Sequence, residues 1–86
     1  MSITFEAMID DTAVKLFAVA MKQKMALSRA KGREEWRKCS TDELWEMLRE
    51  HVTKGDPVDV ANIAMMIWHN EGNTDTERNS RAERQK

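Results

Sequence analysis

The stretch KGDPVDVANIAMMIW, residues 54–68, decides the fold, because it holds a complete helix start followed by a helix with almost no polar face. Gly55 ends the helix before it, Asp56 is placed to cap the next one through its side-chain oxygen, and Pro57 suits a first helical position that needs no N–H bond. Asp59 adds negative charge at the positive end of the helix dipole. Across residues 60–68 only Asn62 is polar. A helix apolar all round is a helix buried all round, and a chain of 86 residues has little of its own to bury it with. The expectation is that this third helix is too apolar for a lone copy to cover, and that the protein self-associates.

Upstream, Ser40-Thr41-Asp42-Glu43 has the form of a capping box, in which hydroxyl and carboxylate each satisfy a free backbone N–H. A second helix starts there, with Leu44, Trp45, Leu48 and Val52 along one stripe and Met47 beside it. The turn Lys54-Gly55-Asp56 is so short that helices two and three must run antiparallel. A first helix is predicted over about residues 11–31, from Val14, Phe17, Ala18, Met21 and Met25 at spacings of three and four, with Phe5 and Met8 as a backward extension and Gly32 as the stop. Residues 32–39, GREEWRKC, read as a charged connector whose Trp36 packs back on the helices. Beyond residue 70 the chain is polar and charge-balanced. The fold class is therefore all-α: a three-helix antiparallel bundle over residues 1–70 that dimerises, with a disordered polar tail at 71–86.

Composition narrows the function classes. Seven Met and three Trp without a Tyr suit an adaptable contact surface. The single Cys39 cannot form an internal disulfide or hold zinc alone, which fits a reducing cytoplasm. There is no signal-peptide pattern and no apolar run long enough for a membrane span, so no membrane partner is expected. Charge is uneven. Residues 21–38 carry seven basic against two acidic residues, net +5, and residues 40–59 carry two basic against six acidic, net −4. The two segments are complementary and can pair within one chain or between copies.

Three kinds of candidate site arise from the residues alone. Glu43, Glu46 and Glu50 on helix two, and Asp56 and Asp59 on helix three, recur at spacings that share a helix face, as a divalent cation would need. The basic run Lys22, Lys24, Arg29, Lys31, Arg33, Arg37 and Lys38, with Trp36 inside it, could contact phosphates, although internal pairing with the acidic segment is the stronger account. The apolar set Phe17, Met21, Met25, Trp36, Trp45, Met65, Met66 and Trp68 is the predicted interface. His51 and His69 have no neighbouring second ligand in sequence, and there is no phosphate loop, zinc spacing or Ser/His/Asp order.

The segments FAVAMKQKMALSRAKGREEW, LREHVTKGD and DVANIAMMIW resemble small proteins of tailed phages and prophages. They are also similar to the N-terminal region of phage dATP/dGTP diphosphohydrolases, members of the MazG-like all-α nucleotide pyrophosphohydrolases. That resemblance implies magnesium held by an E-x-x-E motif on one helix and an E-x-x-D motif on the next. Here Asp59 matches the aspartate and Asp56 replaces the preceding glutamate, while His51 and Lys54 stand where the first motif has its two glutamates. An ammonium group in a cation site repels the metal. The resemblance thus implies a shortened, non-catalytic relative: a phage or prophage accessory protein in a bacterial cytoplasm. It would bind a host or phage protein, use no cofactor and form homo-oligomers. The rival is a magnesium-dependent pyrophosphohydrolase using Glu46, Glu50, Asp56 and Asp59, and a third reading is nucleic-acid binding through residues 22–38.

Overall fold

The computed structural model describes residues 4–33 and 35–72, and among them every regular element is helical. Helix α1 is Phe5–Ala30, α2 is Thr41–Lys54 and α3 is Pro57–Asn70, with a single 3-10 turn, Trp36–Lys38, between α1 and α2. The all-α, three-helix expectation holds. Of the predicted tail, residues 73–86 lie outside the described residues, while Glu71 and Gly72 form a turn off the end of α3 and Gly72 is buried.

The helix ends follow the chemistry of their caps. Ser40 Oγ accepts from the Glu43 N–H at 3.1 Å and the Glu43 carboxylate accepts from the Ser40 N–H at 2.9 Å, which completes the capping box. Gly55, at φ 83°, closes α2 in the left-handed conformation, its N–H donating to the carbonyls of His51 and Val52. Asp56 Oδ1 then accepts from the Val58 N–H at 2.9 Å to start α3. Helix α1 includes the backward extension through Met8 and Phe5, because the Thr4 hydroxyl accepts from the Ala7 N–H at 3.0 Å and Glu6 sits in the first turn.

Helix α3 lies between the other two. It packs against α2 on one side and α1 on the other, and α1 and α2 do not touch among the described residues, so the arrangement is open rather than mutually closed. The core belongs to the α2–α3 hairpin: Leu44 is fully buried, Ile63 and Ile67 are 4% exposed, and Leu48, Met66 and Cys39 pack around them. The connector is latched to the end of α3 by Asn70, whose amide donates to the Trp36 and Cys39 carbonyls at 3.1 Å each, and the Trp36 ring meets His69 edge to face at 5.9 Å.

Two expectations change. Ile63 and Ile67 are covered by their own chain, and of the third helix's large apolar residues Trp68 alone, at 49%, is strongly exposed. A central position gives α3 two neighbours, which is why it needs no second copy for its cover. Most of the uncovered apolar surface is on α1 instead, where Phe5, Met8, Ile9, Val14, Leu16, Phe17, Val19 and Leu27 are all exposed. On α2, Trp45 and Val52 leave the buried stripe that Leu44 and Leu48 form, because only one narrow face of α2 meets α3. No described helix is long and apolar enough to cross a membrane.

Removing a fully buried branched side chain loses its transfer free energy and opens a cavity. Leu44→Ala should therefore cost about 3 kcal/mol in urea unfolding followed by circular dichroism. The exposed Val52→Ala on the same helix should change stability by less than about 0.5 kcal/mol.

Candidate functional site: a methionine cleft and an ion-paired helix start

Where α1 crosses α3, Ala18, Met21 and Met25 face Met65 and Asn62 across an open cleft of about 460 Å³. Lys22 and Arg29, seven residues apart on α1, stand along its rim. The floor is polar. Asn62 is 5% exposed and donates its side-chain amide to the Met21 carbonyl at 3.2 Å, a bond between the two helices. Its Oδ1 is buried without a hydrogen-bond partner, a cost of about 1–3 kcal/mol concentrated at the cleft floor. The methionines are half-buried, so each keeps rotamers available for reshaping the walls.

One turn along, α1 is tied to the start of α3 by charge. Lys24 Nζ lies 2.8 Å from Asp56 Oδ2 and 3.3 Å from Asp59 Oδ1. His51 Nδ1 approaches Asp59 Oδ2 from α2 at 3.8 Å. The Asp56 carboxylate is held below its usual range, first by the Lys24 hydrogen bond and then by the Val58 N–H. The same contacts, led by that to Asp56 and followed by that to Asp59, raise the Lys24 ammonium above its ordinary value. The complementarity of the basic and acidic segments is thus realised within one chain, at this point.

The predicted metal set is not brought together. Asp56 and Asp59 share a lysine, Glu46 pairs with Arg49 at 2.9 Å on the exposed side of α2, and Glu50 is exposed. Among the described residues no three His, Cys, Asp or Glu side chains are grouped as metal ligands would be. The basic set is also divided: Lys24 is committed to the aspartates, Lys38 lies 3.8 Å from Glu35, Lys22 and Arg29 border the cleft, and Lys31, Arg33 and Arg37 are exposed around the connector.

Of the predicted interface residues, Met21, Met25 and Met65 meet in the cleft. Met66 turns the other way and packs on the core, Trp36 is half-buried against His69, and Phe17, Trp45 and Trp68 are exposed outside the cleft. Sequence reasoning passed over the apolar face of α1 that carries Phe5, Met8, Ile9 and Leu16, which borders a shallow trough of about 420 Å³. Its signal in the sequence is the spacing of those residues, which lie on a different helix face from Val14, Met21 and Met25.

A depressed carboxylate stabilises the fold fully above its ordinary 3.8, and that contribution is lost as pH falls through the lowered folded value. For Lys24 the sign reverses: its contribution is complete below 10.5 and is lost as pH rises through the raised value. In Lys24→Met the Asp56 carboxyl should titrate higher than in the parent protein, read from its side-chain carbon shift by NMR. Equal midpoints in the two proteins would mean that the pair is not formed in solution. Comparison of the chain with known protein families, with curated proteins and with solved structures finds no match.

Proposed function

We propose that this chain is a small, non-catalytic accessory protein, of phage or prophage type, that acts by binding another protein. The observation that carries the reading is the cleft between α1 and α3: three half-buried methionines with two cations on the rim. Methionine walls accept varied apolar shapes, and Lys22 and Arg29 favour acidic neighbours, so the fitting ligand is an amphipathic helix with an apolar anchor flanked by Asp or Glu. The volume is of the size that takes a few large side chains.

The rival reading, magnesium-dependent nucleotide hydrolysis, is less well supported. Its two aspartates already have a cation in Lys24, 2.8 Å from Asp56 and 3.3 Å from Asp59. Displacing that ammonium would break the tie between α1 and α3. Nucleic-acid binding is weakened in the same way, since the basic residues are split among an internal ion pair, the cleft rim and the connector.

Two measurements separate these readings. With the purified protein, magnesium and a panel of deoxynucleoside triphosphates, no pyrophosphate release is expected; release abolished by Asp59→Asn would overturn the binding reading in favour of catalysis. In affinity capture from bacterial lysate with quantitative mass spectrometry, a protein retained by the parent chain should drop at least tenfold with Met25→Glu, which puts a like charge against an acidic ligand. Retention unchanged by Met25→Glu would remove the cleft from the account.

A further inference from the structure

We propose that α1 pairs antiparallel with α1 of a second copy, through the face turned away from α3. This extends the reading of the chain as a binding protein but does not use the cleft. Leu16 and Met25 are nine residues apart, which on a 3.6-residue period is two and a half turns, so they look in opposite directions. Met25 looks into the cleft. Leu16 looks outward and is 67% exposed, and Phe5 at the helix start is 75% exposed.

The outward face has a regular seam. Starting at Phe5 and stepping alternately four and three residues, it reads Phe5, Ile9, Thr12, Leu16, Val19, Gln23, Ala26 and Ala30, the heptad spacing of a two-stranded coiled coil over the whole helix. All eight are exposed. With Met8 and Leu27 beside the seam, its large apolar side chains leave on the order of 700 Å² uncovered, taking roughly 200 Å² for each when fully exposed. That exceeds the roughly 300–600 Å² of the largest patch on an ordinary monomer and approaches the roughly 800 Å² that each partner gives to a standard interface.

The residue sizes select both the occupant and its direction. In an antiparallel pair centred between Leu16 and Val19, Phe5 meets Ala30 of the second copy and Ile9 meets its Ala26, large against small. Thr12 meets Gln23, so the two polar members of the seam face each other and can hydrogen-bond, and Leu16 meets Val19 at the centre. A parallel pair would instead stack Phe on Phe at one end and leave Ala on Ala at the other.

Charge agrees with the antiparallel choice. Over residues 5–17 α1 carries Glu6, Asp10 and Asp11 against Lys15, net −2, and over residues 18–30 it carries Lys22, Lys24 and Arg29, net +3, of which Lys24 is already paired with Asp56 and Asp59; Lys31 follows just past its end. Reversal of direction lays the acidic half of one helix along the basic half of the other and brings Glu6 beside Lys31 of the second copy. Lys15 would approach Lys22 of the second copy, and the Asp11 carboxylate, 3.1 Å from Lys15, offsets that repulsion.

Sedimentation equilibrium of the full chain under reducing conditions should give twice the 10.0 kDa chain mass at tens of micromolar. Leu16→Glu should return it to a single chain with its other helices intact by circular dichroism, and Met25→Glu, on the opposite face, should remain dimeric. A monomeric parent, or a dimer lost with Met25→Glu but kept with Leu16→Glu, would overturn the proposal while leaving the cleft reading open to its own test. Direction is read separately by cross-linking. In a Cys39→Ser background, chains carrying Thr12→Cys mixed with chains carrying Gln23→Cys should oxidise to the mixed disulfide, and disulfides between two Thr12→Cys chains would overturn the antiparallel arrangement.

Discussion

Helix α3 is held from two sides by helices that never meet, and the two sides are built from different chemistry. Toward α2 the contact is mainly aliphatic, through Leu44, Ile63 and Ile67, each buried branched side chain contributing about 1.5–3 kcal/mol. Toward α1 it is methionine and polar: the Asn62 amide on the Met21 carbonyl, and Lys24 over Asp56 and Asp59. Solvent screens ion pairs this exposed, so the hairpin of α2 and α3 is the firm unit and the seat of α1 the softer one. The softer seat is also where the methionine-lined cleft lies.

The start of α3 concentrates several duties in two residues. Asp56 caps the helix, receives Lys24 and follows the αL glycine that reverses the chain, while Asp59 receives the same lysine and has His51 nearby. Here the positive charge is supplied by the chain itself, tethered to α1, and so serves to join two helices.

Much of the secondary structure was legible because local chemistry settles it. The capping box at Ser40 and Glu43, Gly55, and Asp56-Pro57 each work through backbone groups within four residues, and each sits where the sequence places it. Thr4 was harder to find, since a lone threonine with no acid three residues on is a weak start signal. What could not be read locally was the share of neighbours. An apolar α3 means buried on all sides, but whether the cover comes from the same chain or another depends on which helix takes the middle place, and periodicity holds no such information. Met65 and Met66 show the limit plainly: adjacent and chemically identical, one lines the cleft and the other the core. Lys24 was legible only as a member of a basic run, and its selection by Asp56 and Asp59 required the crossing of α1 over α3.

The length of α1 follows from the same imbalance. Only residues in its second half reach α3, and residues 5–17 are exposed at every position. A water-surrounded helix of 12–15 residues is marginal on its own, and a soluble one gains nothing from Phe5, Ile9 and Leu16 in place of polar residues unless something covers them. Their 3.5-residue repeat continues without a break into the half of α1 that is anchored on α3, so one rigid rod carries both faces. Pairing rods antiparallel puts the unsupported half of each against the anchored half of the other, which supplies support where each protomer lacks it. In a pair so formed, the two methionine clefts would face away from the seam and lie toward its opposite ends.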